Sequence, residues 1–595
     1  MSLTAQGLSW QDVAATAQKH RDDTIAKVKP AVSNPPGELP WNVTGIPSQL
    51  LPKDVLHITE SPPESLLSQL STGALTSTAV TTAFLQRAGL ASKLVNCITE
   101  LLPARALARA KALDDYYATR KKPVGPLHGL PISVKEHISM KDLDLNAGFI
   151  SWVGQKGTSD ALILRLLWSA GAVFYARTTE PQTLMHLETS SNIFGVTVNP
   201  YNTTLTSGGS SGGEGALVGL RGSCLGIGTD IGGSIRSPAA NQGVFGLRPS
   251  SYRLPLDGFA ATMIGEEHVV PVVGPLSTSL EGIKVFMKVL IDQKPWLHDP
   301  MLVPLPWKAT GDLLRRDAGG KRKLRIGVLR DDGMVRPHPP ILRGIDSVVS
   351  KLSSHPDIEI IDFPPYDHDR AWRIISSLYF ADGAAEEKEA IDASGEPWRP
   401  LSKFIIKENP NMKSLSVTEV WRLTGERDAY RAAYTKHWNS IGTSLPGPEQ
   451  KGELDVAAPL AKEDDMVDVI LCPVGPGCAP PLNCARYWNY TSQWNLLDYP
   501  AVVFPTGLYC GAEDKVDKTY KPMNEKDEYN HELCEYHIVV YVVYDYLGRD
   551  RTDGNPTDKP ETYTDAPISL QLVGRRYEDE KLIEALEMIM AAAKL

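Results

Sequence analysis

Residues 207–249 read SGGSSGGEGALVGLRGSCLGIGTDIGGSIRSPAANQGVFGLRP. From 202 to 249 the chain places 13 of its 48 glycines and only five charges: Glu214, Arg221, Asp230, Arg236 and Arg248. So much glycine weakens any regular element, so the gain must lie in close backbone approach or in exposed N–H groups. A solvated Gly/Ser linker is excluded by the interleaved Leu217, Val218, Leu225, Ile227, Ile231, Ile235 and Val244.

Several motif templates fail here. Gly208–Gly212 fits the G-x-S-x-G nucleophile elbow, but that elbow follows a buried strand, and Asn199–Thr204 is polar and turn-like. A phosphate-binding loop would need Lys after Gly213, where Glu214 stands. A dinucleotide fingerprint would need glycine at Ile231. What remains is a pair of serine loops, Gly208–Gly213 and Asp230–Arg236, with Ser210 and Ser234 24 residues apart. Small residues before Ser234 let the N–H groups of Ile231, Gly232 and Gly233 turn inward beside its hydroxyl. That is an anion-binding nest of the kind that makes an oxyanion hole.

A serine needs a proton acceptor. No histidine lies in the segment, and Lys135 is the competing candidate. It sits on Pro131–His137, which alternates with period two and reads as a strand, with Ser133, Lys135 and His137 on one face. Pattern alone leaves open a surface lysine on an edge strand or a desolvated lysine that acts as a base.

Outward from this segment, strands and helices alternate. Residues 1–29 read as a polar helix, 30–40 as a Pro-rich connector, and 61–120 as helical, with Thr76 or Ser77 as a cap. Ala161–Ala170 reads as a helix and Ala172–Ala176 as a strand. Lys323–Leu329, Val467–Cys472 and Pro567–Val573 read as further strands, before a closing helix from Glu578 to about Ala592. No long linker interrupts 130–573. The expectation is an α/β fold with a helical arm and connector at 1–60 and one large domain at 61–595. The run Tyr536–Tyr544 is strongly strand-forming, and a polar tract follows it to Pro560. Lys462–Asp465 reads as a solvated charge run.

Composition bounds the function. The 595 residues are 42% hydrophobic and 22% charged, which excludes a mostly disordered chain. A net charge of -10 without a basic block argues against nucleic-acid binding. No apolar run is long enough for a membrane span. Seven scattered cysteines are no disulfide framework, and Cys472, Cys478 and Cys484 lack the spacing of a zinc site. Without an apolar leader in Met1–Lys29, a cytoplasmic location is the expectation.

Gly129-Leu130-Pro131-Ile132-Ser133-Val134-Lys135-Glu136 together with Ser207–Pro249 resembles the amidase signature family, over most of the chain from about residue 61. Met523–Asp527 and Val573–Arg576 look most like its fungal acetamidase branch. The resemblance implies a mixed, twisted sheet covered by helices and a Ser–cisSer–Lys triad. Ser234 would be the nucleophile and Ser210, after a cis peptide bond, the bridge facing the substrate. Lys135 would be the base, and Ile231, Gly232 and Gly233 the oxyanion donors. Asp230, Arg236 and Ser211 would support the loop. It implies hydrolysis of small-molecule amides without cofactor or metal, with room for a homodimer. An ester or carbamate hydrolase would use the same site, and a glutaminase-type amidotransferase subunit is the remaining alternative. Glu136 stands where many members have Asp. Met185-His186-Leu187 could wall the acyl pocket, with His186 read as packing. Tyr490–Asn495 could line a pocket or pack in the core.

Overall fold

Strand-forming runs rich in Val, Ile and Leu, spaced by helices, leave a sheet that must be covered on both faces. The computed structural model describes residues 7–316, 319–443, 465–535 and 563–595. The first strands are β1 (Ile98–Leu101), β2 (Pro131–Lys135), β3 (Val173–Thr178), β4 (Ser190–Ser191) and β5 (Gly195–Val196). Next come β6 (Leu225–Asp230), β7 (Phe245–Arg248), β8 (Val272–Ser277), β9 (Leu324–Val328) and β10 (Ile358–Asp362). The last are β11 (Val469–Pro473), β12 (Ala501–Tyr509) and β13 (Pro567–Val573).

Eleven of these form one sheet in the order β1-β3-β2-β6-β8-β7-β12-β13-β11-β9-β10, and β4 and β5 make a separate two-stranded ribbon. The sheet is mixed: β2 runs parallel to β3 and β6, while β6, β8, β7, β12, β13 and β11 pair antiparallel in turn. The result is a single α/β domain with helices flanking a large mixed sheet. The central strands β2, β3, β6 and β8 are buried throughout, as two covered faces require.

The Gly-rich segment straddles the centre of that sheet. Its first loop leads into the helix Gly212–Gly219, and β6 returns beside β2. Glycine at 226 follows from that packing: a Cβ there would lie 1.9 Å from Glu214 Oε2 on the helix. The helix Ser77–Val95 starts at Thr76, whose hydroxyl accepts from Ala79 N–H. The helix Trp10–Ala26 packs against β1, and Val28, Val43, Ile46, Val55 and Ile58 join the main core, so the described part of the arm and connector packs onto the same core as the sheet. One strand departs from the all-helical reading of 61–120: β1 is four residues long and pairs antiparallel with the outer edge of β3. The strand read at Tyr536–Tyr544, the tract to Pro560, and Lys462–Asp464 lie outside the described residues.

Candidate active site

β2 ends at Lys135, whose side chain is buried. Its Nζ lies 2.7 Å from Ser210 Oγ and 3.0 Å from Thr229 Oγ1 on β6. Burial lowers the lysine pKa to about 8, while the carboxylates of Glu180, Asp230 and Glu214 pull it back up. Desolvation dominates because an isolated ammonium is costly in a dry pocket. An edge-strand surface lysine is thereby excluded. Glu214 accepts from Ser133 Oγ and Thr178 Oγ1, and burial lifts its pKa to about 8.

Ser210 follows a cis Gly209–Ser210 peptide bond. Ser211 laces the two serine loops together. Its hydroxyl donates to Thr229 O and accepts from Thr229 N–H, and its own N–H donates to Ser234 O at 3.1 Å. Ser210 and Ser234 are both nearly buried. Glu136 turns away from Ser210. Its carboxylate accepts from Asn146 N–H, Asn146 Nδ2 and Ala147 N–H at 2.8–3.0 Å, and burial pushes its pKa well up.

The loop before Ser234 is held from outside. Asp230 accepts from Ile235 N–H at 3.1 Å, Arg236 Nε at 3.0 Å, Arg236 Nη2 at 2.9 Å and Asn495 Nδ2 at 2.9 Å. Burial alone would raise its pKa, but Arg236 and these donors hold it well below the carboxylate range. Tyr379 O–H donates to Ile231 O at 2.9 Å, and Thr491 Oγ1 donates to Gly232 O at 2.6 Å. In a trans peptide the C=O and N–H point opposite ways. Drawing the Ile231 carbonyl toward Tyr379 therefore turns the Gly232 N–H away from it. Among the described residues, neither Ile231 N–H nor Gly232 N–H has a protein acceptor.

Gly233 differs from the sequence expectation. Its N–H donates to Asp230 Oδ1 at 2.9 Å, so it braces the loop instead of standing free as a third donor. Its φ of +136° is one that side-chain-bearing residues rarely adopt, and a Cβ there would meet Thr491 Oγ1 at 2.4 Å.

His137 was expected on the face of Lys135, and it reaches the same group from past the strand end. Its Nε2 lies 3.1 Å from Thr229 Oγ1 and its Nδ1 2.8 Å from Ala260 O. Burial drives its pKa well below the histidine range. His186 is buried beside Leu187, and burial lowers its pKa well below the histidine range. The neighbouring Leu187 lines a cavity with Ser237, Val474, Cys478, Cys484 and Tyr487. Sequence reasoning missed Tyr379 altogether. Thr491 and Asn495 were noted for composition, and nothing in the sequence ties them to a loop more than 250 residues away.

This sheet sets a desolvated lysine, a candidate proton acceptor, against the loop-borne hydroxyl of Ser210, an arrangement suited to hydrolase chemistry. Residues 79–583 match the Amidase family model, and the chain belongs to that family. It is 38% identical to the acetamidase of Emericella nidulans over 592 residues, covering 98% of each chain. It is 37% identical to the acetamidase of Aspergillus oryzae over 583 residues, again covering 98% of each. A solved fatty acid amide hydrolase superposes with a TM-score of 0.84 at 32% identity, over 98% of this chain and 95% of that one.

Proposed function

We propose that the protein cleaves carboxylic amides to an acid and ammonia or an amine through an acyl-serine on Ser234. The observation that carries this is the 2.7 Å contact between a buried, pKa-lowered Lys135 and Ser210. Neutral Lys135 takes the Ser210 proton as Ser210 takes that of Ser234. Ser234 Oγ then attacks the amide carbonyl carbon, and the carbonyl oxygen becomes an oxyanion. Ile231 and Gly232 N–H groups donate to it, with Gly233 and Asp230 keeping the loop in place. The proton returns through Ser210 to the leaving nitrogen, the C–N bond breaks, and water releases the acid by the same relay in reverse. The two acetamidases similar along nearly their whole length support small aliphatic amides as the substrate class.

The test is Ser234→Ala, which should abolish turnover of a panel of aliphatic amides and leave the melting temperature close to that of the parent. A fluorophosphonate should label Ser234 alone. Label found on Ser211 or on a cysteine would reassign the nucleophile.

A further inference from the structure

The hydrogen bonds around His137 have only one consistent set of proton positions. Ala260 O, at 2.8 Å from Nδ1, can only accept, so Nδ1 carries the ring proton. The ring is buried, lies beside Lys135 and is neutral, so Nε2 is a bare acceptor. Thr229 Oγ1 at 3.1 Å must therefore donate its hydroxyl proton to Nε2. That leaves only lone pairs on Thr229 Oγ1 for Lys135 Nζ at 3.0 Å, so the amine donates an N–H to it.

We infer that His137 is a positioning residue for the general base, acting through the Thr229 hydroxyl. The Ala260 carbonyl fixes the imidazole tautomer, the tautomer fixes the hydroxyl, and the hydroxyl takes one amine N–H. With that N–H anchored on one side, the nitrogen lone pair of neutral Lys135 is free to face Ser210 at 2.7 Å. Without an acceptor at Nε2, the Thr229 proton is free to turn onto the amine lone pair, which is the electron pair catalysis needs. The titratable groups that act on the amine are Asp230 at the end of β6, Glu214 on the helix Gly212–Gly219, and Glu180 after β3. Glu180 also accepts from His137 N–H. None of them supplies a hydrogen bond that orients the Thr229 hydroxyl.

The two ring nitrogens can be tested separately. Asn at 137 offers a donor near the Nδ1 position and nothing at Nε2. Gln offers an acceptor near Nε2 and gives up the Ala260 donor. His137→Asn should lower kcat about tenfold, with KM within about twofold, while its melting temperature stays near the parent's. His137→Gln should lose less activity, about threefold, although it melts lower. In the double variant His137→Asn/Thr229→Val, kcat should equal that of Thr229→Val alone, because His137 acts only through Thr229. A parental kcat in His137→Asn, a kcat in His137→Gln as low as in His137→Asn, or multiplicative losses in the double variant would each overturn the inference. It rests on Lys135 as the base, and the two are separable. Activity in Lys135→Ala would remove both readings, whereas a dead Lys135→Ala beside a fully active His137→Asn would remove only the role of His137.

Discussion

Lys135 can serve as a base only when it has shed its proton. A lysine in water holds that proton up to about pH 10.4. Burial brings Lys135 to about 8, against the pull of Glu180, Asp230 and Glu214. The competent form is the unprotonated one, so the sign follows: kcat/KM should rise with pH through a limb near 8 and level off above it. Acid should inhibit. A histidine base would place the limb near 6.5. Lys135→Arg should stay inactive, because a guanidinium does not deprotonate. A pH profile that falls between 6 and 9, or an active arginine variant, would take lysine out of the mechanism. The strand pattern singled the residue out as a candidate but left a surface lysine open, and only the resemblance pointed to a base. Its desolvation was not legible, because that depends on which strands flank β2. Both neighbours, β3 and β6, become parallel partners only in the assembled sheet.

The loop from Asp230 to Arg236 is held as one element, because Asp230, Tyr379 and Thr491 each fix a named peptide group of it. Tyr379 holds the Ile231 carbonyl, so the free Gly232 N–H faces the other way, while Thr491 holds the Gly232 carbonyl, opposite the Gly233 N–H that Asp230 accepts. Tyr379→Phe removes a single hydrogen bond, about 0.5–1.5 kcal/mol, and keeps the ring. It should lower kcat by about two- to tenfold with little change in KM, since the proposed oxyanion hole would serve the transition state. Gly233→Ala should be far worse. The methyl would strike Thr491 Oγ1, and the backbone would have to leave its φ of +136°. Disturbing an oxyanion donor costs on the order of 10²–10³ in kcat. Steady-state kinetics on both variants check this, and a larger effect from Tyr379→Phe than from Gly233→Ala would contradict the clamp. The glycines of this loop announced a nest in the sequence, yet the Gly233 N–H is not one of its free groups, because Asp230 takes it. A carboxylate three residues before a turn glycine is visible in sequence. Whether it bends back onto the turn is a matter of geometry. β1 shows the same limit: four residues between two helices carry too little periodicity to read, and the pairing with β3 makes the strand.

Across the whole molecule, buried ion pairs tie the end of the chain to the sheet beside the site. Arg248 at the end of β7 pairs with Asp498 at 2.9 Å, just before β12. Arg253 meets both acids at the start of the helix Asp579–Ala593, Asp579 at 3.2 Å and Glu580 at 2.7 Å. Ser250 N–H and Oγ also donate to Asp579. Period-two and helical patterns marked β13 and the closing helix in the sequence, but gave no hint that an arginine 326 residues upstream would anchor it. All five charged side chains are buried, so the pairs matter mainly for what their loss would leave behind. Arg253→Ala strands two carboxylates in a dry environment, and such a break costs about 3–5 kcal/mol. The pH dependence of that cost has a definite sign. Burial already raises the folded-state pKa of Asp579, and losing the Arg253 guanidinium, which pulls it down, raises it further, so the folded variant holds the Asp579 proton to higher pH than the folded parent does. Stability then falls as pH rises through this range, and the deficit against the parent is larger at pH 7.5 than at pH 5. Denaturant titration of both proteins at the two pH values measures it. A deficit that is equal at both, or larger in acid, would mean that the arginine holds the helix by packing and not by neutralising Asp579 and Glu580.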